Sequence, residues 1–142
     1  MRTQQGFTLI EIMVVVVIIG VLIGLVAPNI LGRVDDARVT AAKADIGTLD
    51  QALAMYKLDN HHYPSTDQGL QALIQKPSGN PEAKNYNPEG YLKKPKIPLD
   101  PWGNEYHYLS PGSDRPYDLY SLGADGREGG EGFDSDIGNW DL

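Results

Sequence analysis

No cysteine occurs in the 142 residues, so the chain has no disulfide, no thiolate nucleophile and no cysteine-ligated zinc or iron–sulfur site. Positive charge is also scarce: 12 Lys and Arg stand against 19 Asp and Glu, a formal net charge of −7. The basic residues are scattered singly apart from Lys93, Lys94 and Lys96, a distribution that argues against nucleic acid as a partner. The three histidines lack metal-ligand spacing, since His61 and His62 are adjacent and His107 stands alone. Ser121 and Ser135 have no credible base and orienting acid, and Gly123-Ala-Asp-Gly126 is not a phosphate-binding fingerprint. With these ingredients missing, no catalytic residue is expected. Internal repeats and low-complexity segments are absent as well, and the length suits a single domain.

What the chain does have is an apolar run. From Ile12 to Ala27, sixteen consecutive residues carry no charge and are mostly Ile, Val and Leu. Extended back to Phe7, the run becomes a 21-residue stretch interrupted only by Glu11. At about 1.5 Å per residue, that length crosses the roughly 30 Å of bilayer hydrocarbon. A secretory signal fits poorly, because no small-residue cleavage motif precedes a plausible cut and Pro28 follows Ala27 directly. A plain signal anchor, with Arg2 kept on the cytoplasmic side, accounts for length and orientation and leaves Glu11 unexplained. An ionisable group one turn into a membrane helix requires a partner. If the chain were cut between Gly6 and Phe7, the new amino group of Phe7 would lie about one helical turn from Glu11 and could neutralise it.

Helical periodicity resumes at Val39, Ala42, Ile46, Leu49, Leu53 and Tyr56, which line one face. Asp35, Asp36, Arg38, Lys43, Asp45, Asp50 and Lys57 supply a polar opposite face, so one helix is expected from Phe7 to about Leu58. Pro28 and the glycines at 20, 24 and 32 punctuate it. Pro64 ends the helical region, and a shorter helix bearing Leu70, Leu73 and Ile74 is expected after a cap in Ser65-Thr-Asp67. The segment from Pro77 to Pro101 reads as irregular loop, with Trp102 as a core anchor in its turn. Tyr106-His-Tyr-Leu109 and Tyr117-Asp-Leu-Tyr-Ser121 alternate as short strands, forming a small antiparallel sheet against the helix. Six acidic residues between Leu122 and Asp141 face only Arg127. Such a loop suits a hard cation such as calcium, yet its spacing is not that of an EF-hand, and composition alone favours a solvated charge run.

Gly6-Phe-Thr-Leu-Ile-Glu11 with the apolar run behind it resembles the class III signal of type IV pilins and type II secretion pseudopilins. The resemblance implies that a prepilin peptidase cuts between Gly6 and Phe7 and N-methylates Phe7, and that Glu11 sets subunit register. Met55-Tyr-Lys-Leu-Asp-Asn60, Tyr63-Pro-Ser-Thr-Asp-Gln-Gly-Leu-Gln-Ala-Leu73, Asp100-Pro-Trp-Gly-Asn104 and Ser121-Leu-Gly-Ala-Asp-Gly126 narrow it to the major pseudopilins of type II secretion. That family implies an α+β, type IV pilin-like fold. The expected divisions are residues 1–6 as leader, 7–28 as the transmembrane and assembly half of the helix, 29–59 as its periplasmic half, and 60–142 as a globular head. It also implies a structural calcium ion held by Asp125, Asp134, Asp136 and the Leu122 carbonyl, with Gly130 or Ser135 as a further donor.

The implied role is that of a subunit polymerising into a periplasmic filament that drives folded proteins across the outer membrane. The subunit would cross the inner membrane once, with a cytoplasmic N-terminus. Its implied partners are further copies of itself, minor pseudopilins, an inner-membrane platform, a secretion ATPase, a secretin, exoprotein cargo and membrane lipid. Type IVa pilins usually close their C-terminal region with a disulfide, so the missing cysteine argues against a surface pilus subunit. A non-polymerising, calcium-binding periplasmic anchor is the other alternative.

Overall fold

The structure, a computed structural model, describes residues 6–142, apart from the side chains of residues 27–31. Leader residues 1–5 and the side chain of Pro28, where punctuation of the helix is expected, lie outside the described residues. One helix, α1, runs over Leu9–Asn60. It begins two residues later than the apolar pattern suggests, because Thr8 caps it. It ends two residues later because the Asn60 amide donates both to the Tyr56 carbonyl and to the Tyr91 hydroxyl, at 3.1 Å each. His61 then takes a left-handed conformation, φ 67°, and its N–H donates to the Lys57 carbonyl at 2.7 Å, the usual way a helix closes its last turn.

The chain divides into two compact units, Met1–Asp36 and Ala37–Leu142. In the first, every side chain from Leu9 to Val26 is exposed, and this stretch is long and apolar enough to cross a membrane. In the second, Ala42, Ile46, Leu49, Leu53 and Tyr56 of the face of α1 anticipated from its spacing are all at 0% exposure, and Val39 is partly buried against the core. They meet Leu73, Tyr106, Tyr108, Tyr117, Leu119 and Ile137 in one core, with Trp102 packed at its margin.

Two of the residues assigned to the polar face belong elsewhere. The Tyr106 hydroxyl donates to Asp45 Oδ2 at 3.1 Å, and the Tyr117 hydroxyl donates to Asp50 Oδ1. Both carboxylates sit next to apolar stripe positions, Ile46 and Leu49, so the head laid on the stripe is broad enough to reach them. The short helix is also smaller than expected, a single 3-10 turn over Leu70–Leu73. Ser65 does not cap it. Ser65 and Gln68 instead bond each other reciprocally, backbone to side chain, at 3.0 and 3.3 Å, and Gly69 at φ 58° separates that turn from Leu70.

Strands β1 (His107–Leu109) and β2 (Asp118–Ser121) fall within the segments that alternate. A third strand, β3 (Ile137–Gly138), completes an antiparallel sheet in the order β1-β2-β3, with Tyr108 opposite Leu119 and Ser121 opposite Ile137. On its other face His107 stacks on Tyr120, and Trp140 lies beside Tyr120. Trp140 covers Gly138 so closely that a Cβ there would stand 2.5 Å from the indole ring. The architecture is α+β: a long N-terminal helix with a small antiparallel sheet packed on its second half.

Candidate assembly terminus and ion-binding loop

Gly6 and Phe7 precede α1 and are exposed. Thr8 and Glu11 then form a reciprocal pair: the Thr8 N–H donates to Glu11 Oε2 at 3.4 Å and the Glu11 N–H donates to Thr8 Oγ1 at 3.3 Å. This is the Thr-x-x-Glu capping box, which satisfies two backbone donors that a helix start otherwise leaves open. In hydrocarbon, where water cannot substitute, such satisfaction matters more. Thr8-Leu-Ile-Glu11 carries the Thr-x-x-Glu signature of this cap in the sequence itself. The pair also turns the carboxylate back toward Phe7, the residue whose amino group a cut after Gly6 would create.

The acidic loop starts at the end of β2 and is anchored by a carboxylate that sequence reasoning passed over. Asp100, 4% exposed, accepts from the Trp102 and Asn104 backbone N–H groups at 3.1 and 2.8 Å through Oδ1. Its Oδ2 accepts from the Ser121 hydroxyl at 2.6 Å, and Ser121 Oγ in turn accepts from the Gly123 N–H at 3.2 Å. The Asp-Pro-Trp-Gly turn and the first loop residue are thus one hydrogen-bonded chain. An Asp opening a turn with Gly in its fourth position was the available signal.

Beyond Gly123 the loop folds back on itself. The Ala124 N–H donates to the Phe133 carbonyl at 2.9 Å. Gly123, at φ 71°, approaches so closely that a Cβ would stand 2.7 Å from the Ser135 carbonyl oxygen and 3.0 Å from that of Asp134. Gly130, at φ 88°, meets the Asp134 carbonyl even more tightly. Asp125 Oδ1 accepts from the Arg127 N–H at 3.0 Å, and Asp136 Oδ2 accepts from the Gly129 N–H at 3.1 Å. Asp136 Oδ1 is buried without a hydrogen-bond partner. Leu122 and Asp136 are half-buried, while Asp125 and Asp134 are exposed.

Among the described residues, no three acidic or imidazole side chains converge into a ready metal cage. The donors are nevertheless hard oxygens: an orphaned carboxylate oxygen, further carboxylates in the same fold-back, and backbone carbonyls crowded onto Gly123 and Gly130. That chemistry suits a cation that accepts six to eight irregular oxygen ligands and is not confined to side chains. Imidazole takes no part. His62 lies 3.0 and 3.1 Å from the Tyr63 and Glu82 carbonyl oxygens at the end of α1, and His107 is stacked on the sheet.

Residues 29–140 match the family described as "Type II secretion system (T2SS), protein G", and residues 1–27 match the "Prokaryotic N-terminal methylation motif". The chain is 64% identical over 140 residues to the type II secretion system core protein G of Pseudomonas aeruginosa, covering 99% of this chain and 97% of that protein. It is 57% identical over 142 residues to the protein of the same description from Vibrio cholerae, covering 100% and 95%. Its fold matches the crystal structure of the major pseudopilin from the type 2 secretion system of enterohaemorrhagic Escherichia coli, with a TM-score of 0.70 and 44% identity over 81% of this chain and 96% of that one. With a capped apolar N-terminal helix, a helix-on-sheet head and family matches that together span almost the whole chain, the protein belongs to the type II secretion system protein G family.

Proposed function

We infer that the chain is the major structural subunit of a type II secretion pseudopilus. One observation carries this reading: the stretch Leu9–Val26 is apolar apart from Glu11 and wholly exposed, while the head has its own closed core. A surface of that kind must be covered first by lipid and then, in a filament, by the same helices of other copies. Before assembly the subunit sits in the bacterial inner membrane as a single-pass protein, with Arg2 on the cytoplasmic side and the head in the periplasm. Prepilin peptidase cuts between Gly6 and Phe7 and methylates Phe7. Glu11, turned back toward Phe7, then meets the new amino group of its own or a neighbouring chain and sets the axial offset of the stack. Apolar helices without a specific polar pair leave that offset loosely defined.

The assembled filament pushes folded exoprotein cargo through an outer-membrane secretin. Its growth depends on a secretion ATPase, an inner-membrane platform and minor pseudopilins. The chain itself performs no catalysis. A surface pilus subunit and a non-polymerising anchor are both disfavoured, since the relatives are named as secretion core proteins over their whole length.

The head's acidic loop holds a structural calcium ion, with Asp125, Asp134, Asp136 and the Leu122 carbonyl as ligands and Gly130 or Ser135 as a further donor. The ion supplies positive charge to a segment that otherwise repels itself. Asp100 and Ser121 hold the entrance of the loop in place for it. Intact mass spectrometry of protein taken from native membranes tests the central reading. The expected mass begins at N-methylated Phe7; an unprocessed Met1 chain, in cells with a working peptidase, overturns it.

A further inference from the structure

We propose that a groove between α1 and the segment following Tyr91 receives the acidic C-terminal loop of a second copy of this chain. The groove has a volume of about 630 Å³, within the usual range of binding clefts. Its floor is largely apolar, with Ala52, Met55 and Leu92, and its rim carries Lys93, Lys94 and Lys96; the one carboxylate in the lining, Asp45, already accepts from the Tyr106 hydroxyl. Met55 is 54% exposed although it lies one residue before buried Tyr56, so an apolar side chain is left uncovered there. The three lysines are exposed; the Lys96 N–H donates to the Lys94 carbonyl at 2.8 Å, but none of the three ammonium groups has an ion-pair or hydrogen-bond partner among the described residues. Three like charges within four residues repel one another and gain from an acidic neighbour.

The complementary surface is on the same chain. Asp125, Glu128, Glu131 and Asp134 are exposed on a loop whose single basic residue is Arg127, and Phe133 stands among them at 38% exposure. An aromatic ring bracketed by carboxylates matches an apolar floor rimmed by ammonium groups in both hydrophobicity and charge. Glu128 and Glu131 are outside the proposed ion-ligand set, so they remain free to meet the lysines while calcium is bound. The two surfaces share no residue. A head-to-tail contact between them is heterologous, and its repetition builds an open filament where the rotation between copies does not close. The charges set approach and register, while Phe133 on the apolar floor supplies the buried contact.

This proposal rests on the reading that copies of the chain polymerise, and the test separates the two. Because the chain has no cysteine, a Lys94→Cys, Glu131→Cys double variant carries one engineered pair and no background thiol. Mild oxidation of its assembled filaments is expected to give a ladder of covalent multimers, with single-cysteine variants stopping at dimers. Filaments that form yet yield no ladder overturn the contact, as does a disulfide that leaves the mass monomeric or joins the chain to a different protein. Charge reversal supplies a second route if oxidation perturbs assembly. The Lys93→Glu, Lys94→Glu variant should lose most filament yield, and adding Glu128→Lys and Glu131→Lys should restore it. Unaltered yield from the lysine reversal, or no rescue, also overturns the contact. Absence of filaments from the unaltered chain speaks against polymerisation itself.

Discussion

Asp100 accepts hydrogen bonds from two backbone amides and one hydroxyl while almost fully buried, so its truncation strands three donors in the interior. Each buried group left unpaired costs roughly 1–3 kcal/mol, and Asp100→Ala is expected to lower the stability of the head by about 2–4 kcal/mol in urea unfolding of the detergent-solubilised chain. The tyrosines that tie α1 to the head respond to pH instead. Burial raises the hydroxyls of Tyr56 and Tyr108 to about 12, and it raises those of Tyr106 and Tyr117 further, assisted by the carboxylates of Asp45 and Asp50 beside them. An unfolded tyrosine titrates near 10, so the folded state holds these protons more tightly than the unfolded one. Their contribution is complete below about pH 10 and is lost as pH rises toward and beyond 12. Tyr117→Phe keeps the ring and removes the hydroxyl, so it should lower neutral-pH stability by about 1–2 kcal/mol and flatten the alkaline decline.

At the scale of elements, α1 carries two distinct jobs along one run of backbone. Its first turn is organised by Thr8 and Glu11, and Glu11→Ala removes both the cap and the charge. Membrane insertion should persist, because the apolar run is untouched, while filament yield falls severalfold in sheared preparations. Normal yield would remove Glu11 from the register argument. The helix was legible because its apolar residues recur every three or four positions over many turns, and β1 and β2 because aromatic and apolar residues alternate. β3 was not, since Ile137–Gly138 is two residues long and one of them lacks a side chain. Asp45 and Asp50 were misplaced for a related reason: periodicity locates the centre of a helix face and says nothing of how wide a surface covers it. The loop ligands rested on residue type and resemblance, whereas Asp100 carried only the turn signature of Asp-Pro-Trp-Gly, which does not disclose its long-range bond to the Ser121 hydroxyl.

For the whole molecule, the proposed calcium ion would tie the acidic loop to global stability. If calcium binds the folded head and not the unfolded chain, stability rises with the logarithm of free calcium, by about 2.7 kcal/mol at a hundredfold excess over Kd. Chelation should therefore lower Tm and open cleavage sites between Gly123 and Asp136 in limited proteolysis; a chelator-insensitive digest would count against the ion. The start of α1 at Leu9 bears on the life history of the chain in another way. A protease draws its substrate in as an extended strand, and a bond inside a membrane helix would first have to be melted out of it. The bond between Gly6 and Phe7 stands ahead of the first helical residue, with no atom of the described residues within 4 Å of the position a Gly6 Cβ would take. A cut there, as proposed, can therefore proceed on a precursor whose head is already folded, since it leaves every packed contact of residues 37–142 in place.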